Sequence, residues 1–110
     1  MSYTHKGLAA GRWSRMSFAE QMANIGSEVE RALNWRAKDN AVYCREAFER
    51  SLELIDLTLD GLEGFARLKE VARLREAVAD YFYGTNQFKF TAQSLRRYFL
   101  NFTYAARKDR

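Results

Sequence analysis

The 110 residues contain no proline, one cysteine, one histidine and six glycines. Proline and glycine are the strongest breakers of helices and the main residues of tight turns, so their scarcity argues for an all-α fold and against a turn-rich β fold. A lone Cys44 cannot form an intramolecular disulfide, and no apolar run approaches the roughly 20 residues that a membrane-spanning helix needs. The opening stretch MSYTHKGLAAGRWSRM lacks the apolar core of a signal peptide, so a reducing cytoplasm is the expected location and no membrane is expected as a partner. Cys44 falls at the edge of an apolar helical stripe and reads as a small buried side chain rather than a nucleophile. His5 has no cysteine or second histidine near it in sequence, so neither a metal site nor a cofactor is expected.

Gly-rich phosphate loops and nucleophiles with a credible base are also missing. Carboxylates do recur at i,i+4 spacing, Glu49 with Glu53 and Glu76 with Asp80. Without histidines on facing helices they do not make a di-iron pattern, and pairing with Arg45, Arg50 and Arg73 or solvation is expected.

What the chain does have is a globular balance of 47% hydrophobic and 29% charged residues, enough to bury one modest core. Periodicity divides it into a basic, glycine-containing N-terminal arm over residues 1–16 and an antiparallel four-helix bundle over residues 17–110. Ser17 with Glu20 is a capping box, which starts a helix of about 18–37 whose stripe is Phe18, Met22, Ile25, Val29, Ala32 and Leu33. Gly26 on this helix allows another helix to cross closely. The short connection Lys38–Asn40 favours an antiparallel second helix over about 41–59, facing the core through Ala41, Cys44, Phe48, Leu52, Ile55 and Leu59.

A second apolar band runs along that helix through Tyr43, Ala47, Leu54 and Leu57. A helix apolar on two sides is either central in a bundle or buried between subunits, and in a domain of four helices a homodimer interface is expected. A third helix occupies about 65–83, ended by Gly84 in a left-handed cap. Thr91 then caps a fourth helix over about 92–107, which points Leu95, Tyr98, Phe99, Phe102 and Ala106 inward.

Charge is distributed unevenly around a net +4. Residues 1–16 carry Lys6, Arg12 and Arg15 with no acid, and residues 86–110 carry six bases against Asp109 alone, which leaves the middle acidic. On the fourth helix Arg96, Arg97, Tyr104, Arg107 and Lys108 share an outer face, an arrangement of bases and an aromatic ring that suits single-stranded RNA.

The stretch RLKEVARLREAVADYFY at 67–83 holds the remaining signal. Leu68, Val71, Leu74, Val78, Tyr81 and Phe82 make its apolar stripe, and Arg75 lies inside that stripe, where an unpaired guanidinium is costly and a partner is expected. Arg75 and Asp80 are about 140° apart around the axis, so they do not pair within the helix. Inside the bundle the nearest acid by angle is Asp56.

Arg75, four residues, Asp80, then Tyr81, Phe82 and Tyr83 late in a third helix resembles the HEPN superfamily. Those are small bundles of four or more helices that dimerise and carry arginine, four to six residues, histidine and often a tyrosine. The resemblance covers about residues 30–104 and implies a homodimer in which Arg75 meets Asp80, Tyr81 or Tyr83 of the partner subunit, and a small nucleotidyltransferase as toxin–antitoxin partner. In that family the arginine and histidine cut RNA without metal. Here Asp80 stands at the histidine position, and an anionic carboxylate does not supply the same proton or positive charge. The expected function is therefore a non-catalytic interaction module binding RNA or a nucleotidyltransferase. The alternatives are a diverged ribonuclease built on Arg75, Asp80, Tyr81 and Tyr83, and a purely structural protein-binding bundle.

Overall fold

The Ser17 hydroxyl accepts the Glu20 N–H at 3.1 Å while the Glu20 carboxylate accepts the Ser17 N–H at 3.0 Å, and this reciprocal box starts a helix of 20 residues. In a computed structural model that describes residues 8–108, the helix it starts is one of five: α1 (Leu8–Ser14), α2 (Phe18–Ala37), α3 (Ala41–Gly61), α4 (Phe65–Tyr83) and α5 (Ala92–Lys108). Among the described residues there is no strand, and no helix is long and apolar enough to cross a membrane. The all-α antiparallel bundle follows from the periodicity, and the four predicted helices appear as α2 to α5.

Each helix end has a local chemical cause. Asn40 accepts the Tyr43 N–H at 3.0 Å to begin α3, after Asp39 turns the chain at φ 58°. Thr91 and Ser94 exchange side-chain to backbone hydrogen bonds of 3.0 and 2.8 Å at the start of α5. Gly64, at φ 96°, makes the left-handed bend before α4 that a side chain would oppose.

Gly84 departs from expectation. Its φ of −108° is ordinary extended backbone, not a left-handed cap. Glycine is needed there for a different reason: a Cβ would meet the Asp80 carboxylate at 2.6 Å and the Asp80 backbone at 2.9 Å.

Side chains at consecutive neighbours show the antiparallel order. Glu28 of α2 meets Arg50 of α3, Phe48 and Asp56 of α3 meet Phe82 and Arg75 of α4, and Phe18 and Glu30 of α2 meet Phe102 and Arg96 of α5. Met22, Ile25, Val29, Ile55, Val71, Val78 and Leu95 are fully enclosed, each removing side-chain surface worth roughly 1.5–3 kcal/mol from water. Gly26 sits where α5 crosses α2, and a Cβ there would lie 2.7 Å from the Phe99 Cβ, so the close crossing read from the sequence is real.

Two expectations need correction. The segment 1–16 was expected to be an arm, yet Leu8–Ser14 is helical and Trp13 is buried against α3 with its indole N–H donating to the Thr58 hydroxyl at 3.0 Å. Gln21 of α2 adds a 2.8 Å bond to the Trp13 carbonyl. A lone tryptophan has no period to betray it, but its large ring removes much apolar area from water when buried. His5 and Lys6 lie outside the described residues.

The second correction concerns α3. Within the chain α3 packs against α2, α4 and α1. Ala47 and Leu54 are buried in the chain's own core, so they are not available to a second subunit. Tyr43 remains exposed, its ring edge-on to Trp35 at 4.9 Å, and Leu57 is half-buried against the core.

Candidate functional site

Arg75 grows from the buried face of α4, between Leu74 and Val78, and its guanidinium reaches α3. Its Nε donates to Asp56 Oδ1 at 2.7 Å and an Nη to Oδ2 at 3.4 Å, a fork-to-carboxylate pairing of the kind that fixes geometry as well as charge. This is the partner the helical angle indicated.

Asp80, one and a half turns on, faces away from that pair. Its carboxylate accepts the backbone N–H groups of Thr85 and Phe88, each at 3.2 Å, and its carbonyl accepts those of Gly84 and Asn86. Asp80 therefore organises the loop that follows α4. Asn86 continues the work by accepting the Phe90 N–H at 3.0 Å and donating to its carbonyl at 2.8 Å. Asn86 and Lys89 hold φ values of 57° and 56°, a region unfavourable for a lysine, and the hydrogen bonds keep them there.

Tyr81 and Tyr83 lie at a third place, near the α2–α3 turn. Arg36 covers the Tyr81 ring at 5.1 Å and donates to its carbonyl at 3.3 Å. Arg45 covers the Tyr83 ring at 4.6 Å, and that ring meets Phe48 edge-on at 4.7 Å. Partial burial and the adjacent Cys44 thiol push the Tyr83 hydroxyl above its ordinary value. Within one chain, Arg75, Asp80 and the tyrosines are thus held in three separate networks.

The basic face on the last helix also divides. Arg96 Nε donates to both carboxylate oxygens of Glu30 on α2, at 2.9 and 2.6 Å, and an Nη adds a 3.3 Å bond to Asn34, so Arg96 ties α5 to α2. Arg97, Arg107 and Lys108 are exposed and enter no ion pair among the described residues. Tyr104 is 68% exposed and Leu100, one turn earlier, 62%. Beside them a groove of about 690 Å³ runs between α2 and α5, lined by Arg31 and Arg97 and floored by Phe99, Leu33 and Gly26.

Sequence reasoning missed a buried carboxylate. Glu28, 7% exposed, accepts Arg31 at 3.0 Å and Arg50 at 2.9 Å, clamping α2 to α3. It lies about 100° from Val29 around the α2 axis, outside the apolar stripe, so periodicity did not signal its burial. Among the described residues no three His, Cys, Asp or Glu side chains are grouped to hold a metal ion.

A seam between α4 and α5 was not foreseen either. Here Tyr98 of α5 donates to the Glu70 carboxylate at 2.9 Å, and burial with that hydrogen bond holds the Tyr98 hydroxyl well above its ordinary value. Comparison with protein-family models, curated proteins and solved structures finds no match for this chain.

Proposed function

We propose that the chain is a non-catalytic, HEPN-like helical interaction module that binds single-stranded RNA through the outer face of α5. The observation that carries this reading is the exposure of Arg97, Arg107 and Lys108 around Tyr104, with no acid engaging them among the described residues. Such cations neutralise phosphates, and an exposed ring stacks on any unpaired base. Arg96 is not part of that face in this reading, because Glu30 already holds it.

A catalytic role needs Arg75 and Asp80 to act on one substrate, and the pairing of Arg75 with Asp56 and of Asp80 with loop amides supports the non-catalytic alternative. A cytoplasmic homodimer joined along α3 at Tyr43 and Leu57 belongs to the same proposal. A second reading, a nucleotidyltransferase protein partner, is favoured by the apolar Leu100 and Tyr104 standing one turn apart beside the α2–α5 groove.

The test is fluorescence anisotropy of a labelled oligouridylate across a salt series. Three phosphate contacts give a slope of log K against log salt of about −2, and Arg97→Ala reduces its size by about 0.7. Absence of binding at about 50 mM salt, or binding indifferent to Arg97→Ala, Arg107→Ala and Lys108→Ala together, refutes the RNA reading and leaves the protein partner.

A further inference from the structure

We propose that the open seam between α4 and α5 is a binding cleft for a small aromatic carboxylate. α4 packs on α3 and α5 packs on α2, and between these two pairs a cleft of about 480 Å³ remains. That is within the size range of clefts that hold small molecules. Its walls are the rings of Phe88, Phe90 and Tyr98, with Leu74 and Ala77 at its base and Lys69 and Arg73 also lining it.

The construction of one wall is the second observation. Phe88 is 42% exposed at the tip of a loop, yet the loop is fixed by Asp80 at the Phe88 N–H and by Asn86 at both ends of the Phe90 peptide. Two non-glycine residues of that loop, Asn86 and Lys89, are held at positive φ. Phe90 of this loop packs against the core, but fixing Phe88 half in water adds no ring to that packing. It does create a preorganised aromatic wall, which lowers the cost of binding a ring against it. Offset and edge-on packing between three such rings and a planar guest selects an aromatic body over a flexible chain.

The charges select the other end of the ligand. Lys69 and Arg73 stand one turn apart on α4 and enter no ion pair among the described residues. Glu70, the cleft's acid, already accepts the Tyr98 hydroxyl. The lining therefore presents two cations against one engaged carboxylate, which suits a single anionic group held by charge-assisted bonds. Tyr98 faces this cleft, whereas Arg97 and Leu100 line the α2–α5 groove, so the inference does not depend on the RNA reading.

The test is a titration of the full chain with 2-naphthoate, followed by amide chemical shifts, with 2-naphthalenemethanol as neutral and 2-naphthylmethylammonium as cationic comparison. Saturable shifts at Phe88, Phe90 and Tyr98 are expected, with the alcohol at least about tenfold weaker and the cation weaker still. Lys69→Ala with Arg73→Ala on the exposed side of α4 should bring naphthoate down to the alcohol's affinity while leaving the alcohol's own binding unchanged. Phe88→Ala should weaken all three, with helix content unaltered by circular dichroism. No saturable shifts at these residues, or the cation binding as well as the carboxylate, overturns the proposal.

Discussion

Gly26 and Gly11 are both helical, and replacing each by alanine should change stability in opposite directions. Alanine in place of glycine in a helix interior gains about 0.8–1 kcal/mol through backbone entropy and propensity. At Gly11 in α1 an added Cβ meets nothing within 4 Å, so most of that gain should appear. At Gly26 the added Cβ lies 2.7 Å from Phe99 Cβ and 2.8 Å from its Cγ, the root of the side chain rather than a movable tip. Phe99 is itself buried, so relief requires α5 to move away from α2. Overpacking of this kind costs about 1–3 kcal/mol, which exceeds the propensity gain and leaves a net loss of about 1 kcal/mol. For a domain of this size that lowers the melting temperature by about 4 °C, while Gly11→Ala raises it by a few degrees.

Thermal denaturation followed at 222 nm measures both variants, and a double-mutant cycle locates the cause. If the Phe99 root is the obstacle, Gly26→Ala should cost less in a Phe99→Gly background, where both the Cβ and the ring are gone, and the coupling should reach about 0.5 kcal/mol or more. A Gly26→Ala variant that melts higher than the parent, or a penalty unaffected by Phe99→Gly, refutes the close-crossing argument.

Arg75→Ala leaves the Asp56 carboxylate without its fork, and because both groups are partly exposed the expected loss is about 1 kcal/mol rather than the larger cost of a fully buried pair. A charge-reversed double variant, Arg75→Asp with Asp56→Arg, should recover part of it, and a clean preparation of the parent should show no metal-independent RNA cleavage for Arg75→Ala to remove. Tyr98 is shifted upward in the folded state from an ordinary value of 10.0, so its contribution to stability is complete below about pH 10 and is lost as pH rises beyond it. Urea denaturation at pH 8 and above pH 10 should therefore show a smaller alkaline loss in Tyr98→Phe than in the parent; an equal loss would refute the assignment.

The helices were legible because their signals are local and redundant. Ser17 with Glu20 and Thr91 before Ala92 are caps that sequence spacing displays, and each stripe predicts most of the face that is buried. Exceptions arose where tertiary context decides. Leu68 belongs to the α4 stripe by angle yet is 41% exposed, whereas Ala77, outside that stripe, is 4% exposed. Trp13 was illegible as core because a seven-residue helix offers too few turns for a period. The α4–α5 seam was illegible because it depends on how far apart two helices stand, and no residue pattern encodes that distance.

Arg75, a charge inside an apolar stripe, carries the most general lesson, because burial cost made it informative before any coordinates. An unpaired ion against the core is expensive enough that the fold must provide a counter-charge: Arg75 implied an acid on a neighbouring helix, and Glu28, not read from the sequence, is likewise met by a base on one. Both partners lie on α3: Asp56 for Arg75 and Arg50 for Glu28. α3 thus carries an acid towards α4 and a base towards α2, and an interchange of those neighbours would place like charges together. The two pairs fix which helix lies on which side of α3, a choice that interchangeable leucine and valine stripes leave open. In this reading Arg75 specifies helix order rather than chemistry. The arginine of the Arg75–Asp80 spacing then has a structural reason to be present whether or not RNA is ever bound, and function is to be sought on the exposed α5 face and in the α4–α5 seam.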